Sequence, residues 1–185
     1  MLTKTKIETL FAALVLLAAA ASAHAGGPPA PAAATADLAR LVGTWKGTGS
    51  MTMGSEKADG IQVTWNCRAI SARAGVACDG VMTGIPGVDR YEETDLFGYD
   101  PGAGTVHWFA VTNAGETHDH VGGAWTGLST DHPARFVYTG TQDGKPLKEV
   151  IELSLKGTGG AVLEVHAQTF VAGKLASGLQ VTAHK

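Results

Sequence analysis

From Gly43 to the C-terminus the apolar positions recur every second residue. In GTWKGTGSMTM, Trp45, Gly47, Gly49, Met51 and Met53 alternate with Thr44, Lys46, Thr48, Ser50 and Thr52, the pattern of a strand with one buried face. Ile61, Val63, Trp65, Cys67 and Ala69 alternate with Gln62, Thr64, Asn66 and Arg68 in the same way. The period continues through segments near 75–83, 90–99, 104–112, 117–126, 134–140, 147–155, 161–171 and 174–183, which makes ten predicted strands. Between them lie turn signals, among them Gly84-Ile85-Pro86-Gly87, Asp100-Pro101-Gly102, Asn113-Ala114-Gly115, Asp143-Gly144 and Ala172-Gly173. Such short connections exclude parallel crossovers and predict an antiparallel up-and-down meander. Closing it into a barrel removes both exposed edges; a two-sheet sandwich is the competing arrangement. The expected fold is therefore all-β, one barrel of about ten strands.

The N-terminal part has a different pattern. Lys4 and Lys6 precede an unbroken apolar run from Leu10 to Ala21, and Ala23-His24-Ala25 supplies small residues for cleavage. Residues 1–25 thus read as a secretory signal peptide, too short in its apolar run to span a bilayer. Residues 26–35 form a Pro/Ala-rich linker, and Ala36 to Val42 is expected to make one or two helical turns, with Leu38, Leu41 and Val42 on one face. The domain proper is expected over 36–185. No cysteine follows the leader's apolar core, so lipid attachment is not expected, and the predicted location is the periplasm or the cell exterior.

Charge narrows the classes of partner. With Lys4, Lys6 and Glu8 removed, 12 basic and 16 acidic residues remain, scattered along the chain. A basic cluster for nucleic acid is absent, and no second apolar stretch predicts a membrane span. Composition is silent on oligomeric state.

At Leu41-Val42-Gly43-Thr44-Trp45-Lys46-Gly47 a short helix runs into L-x-G-x-W at the head of the meander. This opening resembles the lipocalin and fatty-acid-binding-protein superfamily, the calycins. With Leu96-Phe97-Gly98-Tyr99-Asp100-Pro101 and the stretch from Trp108 to His120 it looks more narrowly like domain-of-unknown-function family 1579. That resemblance covers about Leu38 to the C-terminus and implies a closed barrel of about ten strands without implying a reaction. The nitrobindin-like barrels share the L-x-G-x-W opening and bind haem through a histidine near the C-terminus. His184 is the residue placed to match, but it lies at the chain end, so haem is not the expected cofactor.

Two cysteines and a few polar residues on apolar faces carry the candidate chemistry. Cys67 and Cys78 are equidistant from a turn centred on Ala72-Arg73 and face each other in that register, within disulfide reach. His118-Asp119-His120 places two imidazoles on one face of a strand about 6.6 Å apart, a spacing that suits one divalent metal ion with further ligands. Whether His107 joins them depends on the turn between. A two-residue loop at Ala114-Gly115 puts His107 on their face, whereas a three-residue loop with a left-handed Gly115 slips every pair by one and sends His107 to the other face. Asparagine and glycine suit the longer loop better. The alternative is that His118 and His120 are hydrogen-bonded polar residues without metal, or groups that bind a polar ligand.

Tyr91, Glu93, Asp95, Phe97 and Tyr99 share one face of their strand, and Glu149 shares a face with Leu147 and Ile151. Whether each face points inward is open, because Thr94, Leu96 and Gly98 could be the inner set instead. A carboxyl group inside a barrel must be paired, hydrogen-bonded or protonated. The candidate ligand-binding residues are Trp65, Glu93, Asp95, Trp108, His118, His120 and Tyr138. No nucleophile elbow, phosphate loop, H-E-x-x-H or dinucleotide fingerprint occurs, so no catalytic residue is assigned. The leading expectation is an exported barrel that binds a small molecule in its interior. The alternatives are a metal-binding barrel or metal-dependent enzyme built on His118 and His120, and an envelope interaction or inhibitor module.

Overall fold

The computed structural model describes residues 32–71, 74–125, 127–129 and 131–185. The predicted leader and the first part of the linker lie outside the described residues. Among the described residues a helix, α1 (Ala32–Ala39), precedes ten strands: β1 (Gly43–Met53), β2 (Glu56–Ile70), β3 (Gly75–Thr83), β4 (Tyr91–Asp100), β5 (Thr105–Thr112), β6 (Thr117–Ala124), β7 (Ala134–Gln142), β8 (Lys145–Lys156), β9 (Val162–Val171) and β10 (Lys174–His184). Each strand pairs antiparallel with its sequence neighbour, and β1 pairs with β10 to close the barrel. This is the closed antiparallel up-and-down barrel expected from the alternation.

The helix departs from expectation. It starts at Ala32, inside the predicted linker, and ends at Ala39, short of Val42. Alanine has the highest helix propensity, and Ala34 and Leu38, four residues apart, bury the same face. The chain then tightens, with Leu41 N–H donating to Leu38 C=O at 2.9 Å and Val42 N–H to Ala39 C=O at 3.2 Å. That turn delivers Leu41 into the core, where its carbonyl accepts from the Trp45 indole N–H at 2.7 Å.

The two ends of the barrel differ. At the α1 end the interior is solid: Leu38, Leu41, Trp45, Val76, Val106, Leu128, Leu155 and Val181 are fully or almost fully buried. A void of only about 20 Å³ remains among Leu41, Trp65, Cys67, Cys78, Asp95, Phe97, Trp108, Leu153 and Leu163, room for about one water molecule. Phe97, Trp108 and Phe136 pack in tilted and edge-on contacts above it, with ring centroids 4.8 to 6.5 Å apart. The opposite end, ringed by the β1–β2, β3–β4, β5–β6, β7–β8 and β9–β10 turns, is open. Asp143-Gly144 and Ala172-Gly173 there have positive φ at both residues, the two-residue hairpin turn whose twist matches the flanking strands.

The β6–β7 seam is the least complete part of the wall, with only Val121↔Val137 and Gly122↔Phe136 in register. Among the described residues, no helix is long and apolar enough to cross a membrane.

Cys67 and Cys78 are directly opposed across β2 and β3 and form a disulfide, with Cα atoms 4.0 Å apart. Their hairpin register is the one expected from the cysteine spacing. Closing so short a loop is worth about 3 kcal/mol in the chain-entropy model. Cys67→Ala with Cys78→Ala is therefore expected to lower unfolding stability by about 2–3 kcal/mol, read as a shift in the urea midpoint under oxidising conditions. An unchanged midpoint would show the bridge to be energetically idle.

Candidate functional site

Above the Trp108 floor lies a cavity of about 470 Å³ that opens at the turn end. Met51, Met53, Met82, Ile85, Ile151 and Leu179 line its walls, and of its polar groups Asp95 and His120 are buried. β4 supplies Tyr91, Glu93 and Asp95 on its inward face, while Leu96 is on the outer, exposed face. The orientation of this strand, open in the sequence, is thus resolved in favour of the acidic set.

The two inward carboxyl groups of β4, Glu93 and Asp95, are each held by a tryptophan. Trp65 Nε1 donates to Glu93 Oε1 at 3.0 Å, reaching across β3. It passes Gly80, which is in register with both residues. Any Cβ at position 80 would collide with the indole nitrogen and crowd the Glu93 side chain, so glycine is needed there for close approach. Trp108 Nε1 donates to Asp95 Oδ1 at 2.6 Å. Asp95 is 1% exposed.

Burial pushes the Asp95 carboxyl well above the usual carboxylate range, and the Glu93 charge adds to this against the opposing indole bond. Burial also raises Glu93, although hydrogen bonds from Trp65 and Tyr91 and the charge of His120 pull the other way. Tyr91 is raised by burial first and by the surrounding carboxylates second. The floor is consequently a place where acids keep their protons more readily than in water.

The second group is centred on Glu149 of β8. His120 Nε2 lies 3.0 Å and His118 Nδ1 2.8 Å from the same Glu149 oxygen, Oε2. The side chains of His120, His118 and Glu149 are 4%, 15% and 19% exposed. Burial alone would raise Glu149, but the His120 hydrogen bond and the charges of both histidines outweigh it and hold the carboxyl below its ordinary value. His120 Nδ1 is 3.3 Å from the Trp108 carbonyl. A carbonyl and a carboxylate both only accept, so each ring nitrogen of His120 faces an acceptor, Nδ1 the Trp108 carbonyl and Nε2, at the shorter distance, the Glu149 oxygen. The His118 ring stacks on Tyr138 with centroids 4.2 Å apart and planes 16° from parallel, which places Tyr138 beside the incomplete β6–β7 seam.

His107 is not part of this group. Trp108↔His120 and Ala110↔His118 are the observed pairs, the register of a three-residue Asn113–Gly115 loop. Gly115 has φ +84°, and Thr112 N–H closes the loop on Glu116 C=O at 3.0 Å. His107 therefore faces outward, its Nδ1 3.0 Å from Asp119 Oδ1. The three-histidine set is replaced by two histidines and a glutamate.

All seven candidate ligand-binding residues converge on this region: Trp65, Glu93, Asp95, Trp108, His118 and His120 line the cavity, and Tyr138 stacks against His118. Glu149 and Gly80 complete the arrangement. Glu149 was visible as the one acid on an otherwise apolar face of its strand; Gly80 had no signal beyond a glycine inside a strand. Among the described residues no lysine or arginine lines the cavity, whereas Glu93, Asp95, Glu116 and Glu149 all do. His184 is exposed on the outer face of β10 at the opposite end of the barrel, so it cannot reach a group held in the cavity.

Neither a protein-family model nor a curated protein matches the chain. Solved structures do resemble it. The crystal structure of Rv2717c from M. tuberculosis superposes with a TM-score of 0.58 at 18% identity, over 83% of this chain and 98% of that one. The S-type phycobiliprotein lyase CPES from Guillardia theta gives a TM-score of 0.50 at 9% identity, over 80% and 89% of the two chains. At these identities the likeness is one of fold, and it agrees with the closed barrel.

The raised Asp95 carboxyl has a stability consequence of defined sign. A carboxyl whose folded pKa lies above its unfolded value contributes most below the unfolded pKa and loses that contribution as pH rises through the folded one. Asp95→Asn keeps an acceptor for the Trp108 indole without the charge. The variant is expected to match the wild type in melting temperature at acid pH and to exceed it increasingly toward neutral and alkaline pH. A gap that narrows as pH rises would contradict the assignment.

Proposed function

We propose that the protein is an exported calycin-like barrel, related to domain-of-unknown-function family 1579, that binds one small amphipathic molecule through its open end. The observation that carries this reading is the cavity itself, about 470 Å³ with thioether and aliphatic walls above an acidic, histidine-containing floor. That volume is within the range of small-molecule sites, and a few convergent polar groups in an apolar pocket are what such sites use to fix orientation. A barrel packed for stability alone would fill the space with side chains, as this one does at its α1 end.

The lining also indicates the ligand's polarity. With four carboxylic acids, two histidines and no lysine or arginine among the described lining residues, the cavity as a whole favours a cationic or donor-rich head group over an anion. The methionines above adapt to an irregular apolar body. Export rests on the signal-peptide reading of residues 1–25 and on the disulfide, which persists in oxidising compartments.

Native mass spectrometry of protein purified from the envelope of its own cells is expected to show a non-covalent adduct of small-molecule mass. Ala167 lines the cavity opposite Ile151 and Leu179, so Ala167→Phe should fill the space and abolish the adduct while the barrel remains folded by circular dichroism. A homogeneous ligand-free mass for the wild type, or an adduct undiminished in the variant, would overturn the proposal.

A further inference from the structure

The cluster of His118, His120 and Glu149 has a feature that ligand binding by the cavity walls does not require. Both ring nitrogens of His120 face acceptors, Nδ1 the Trp108 carbonyl at 3.3 Å and Nε2 the Glu149 carboxylate at 3.0 Å, whereas a neutral imidazole has one N–H to give. His118 Nδ1 approaches the same Glu149 oxygen, Oε2, to 2.8 Å. Two ring nitrogens thus converge on one carboxylate oxygen, an arrangement that a positive centre stabilises. Either protons supply it, one of them making His120 an imidazolium, or a metal ion does.

We infer that His118, His120 and Glu149 form a binding site for one divalent first-row transition-metal ion at the cavity floor. The three ligand atoms all lie within 4.8 Å of one another. Around a tetrahedral ion with bonds of about 2.0–2.1 Å, ligand atoms stand about 3.3–3.4 Å apart, so to bind one the glutamate oxygen withdraws from the imidazoles by about half an ångström and the two ring nitrogens draw together. Two imidazoles and one carboxylate are a recurrent donor set for zinc and for non-haem iron.

The surroundings support the rings as metal ligands usually are supported. A ligating histidine commonly donates its other ring N–H to a carbonyl or carboxylate, which fixes the tautomer; the Trp108 carbonyl has this position on His120. Stacking on Tyr138 fixes the plane of His118. Three protein ligands leave a fourth position, which faces the cavity because its walls enclose the cluster. Glu93 and Asp95 on the facing strand add carboxyl groups to the same cavity, and no lysine or arginine among the described lining residues opposes a dication. The site stands independently of whether an organic molecule occupies the space above it.

The test uses the disulfide-bonded protein stripped with chelator and titrated with Zn²⁺ alone by calorimetry. One equivalent is expected to bind, more weakly as pH falls, because protons compete for the imidazoles. Glu149→Gln and His118→Ala should each weaken binding by at least about 100-fold, at the upper end of what supporting groups alone contribute. His107→Ala and His166→Ala, on the outer face, should leave affinity unchanged. Co²⁺ in place of Zn²⁺ should give the intense visible absorption of a four-coordinate ion, altered by added azide at the open position. Should the His118 variant fail to fold, Glu149→Gln and the Co²⁺ spectrum decide. Absence of Zn²⁺ binding, binding undiminished in Glu149→Gln, or binding lost in His107→Ala would overturn the assignment. The adduct test on the Ala167→Phe variant reads the cavity separately, so either proposal can fail without the other.

Discussion

Pairing of β1 with β10 sets the terms for everything else in this molecule. In an open sheet a misplaced polar side chain can turn toward water at an edge. In a closed barrel every second residue points into an enclosed space, and a charge placed there must find a partner or a proton. The lower half meets that condition by carrying almost no polar side chains, with α1, Leu41 and Trp45 sealing the end. The upper half meets it by pairing: Trp65 with Glu93, Trp108 with Asp95, and both β6 histidines with Glu149. The cavity exists because those pairs are held by the wall and not by filling the middle.

Trp108 links the two halves. Its ring is floor to the cavity and roof to the packed core, its indole N–H donates to the nearest acid, Asp95, and its main-chain carbonyl lies against His120 Nδ1. One residue thereby couples core packing to the protonation and direction of the polar floor. The disulfide lies just below, bordering the same small void as Asp95 and Trp108, and ties β2 to β3 where the Trp65–Glu93 bond crosses above them.

Strand number, antiparallel order and closure were legible because alternation in a barrel wall is nearly obligatory, and because the turns at Asp143-Gly144 and Ala172-Gly173 have chemistry that admits few alternatives. The inward direction of β4 was not legible from β4 itself, since Tyr91, Glu93 and Asp95 are no more apolar than Thr94, Leu96 and Gly98. Phe97 on the inner face and its partner Trp108 decide it, and that is a property of packing with β5. The helix extended into the predicted linker because alanine propensity outweighed the breaker signal of the preceding prolines. Glu149 could be seen as an acid on an apolar face, but its meeting with residues about thirty positions earlier depends on closure and on β6 and β7 diverging. His107 turned on a single residue in the Asn113–Gly115 loop, the most compact case here of local turn chemistry choosing the members of a site.

That choice is also the account's most exposed point, and ring-nitrogen NMR of histidine-labelled protein addresses it directly. The structure predicts that Glu149→Gln shifts the His118 and His120 resonances while sparing His107, and that Asp119→Asn shifts His107 while sparing the other two. A His107 signal that follows Glu149, or His118 and His120 signals that follow Asp119, would contradict the register on which the site is built.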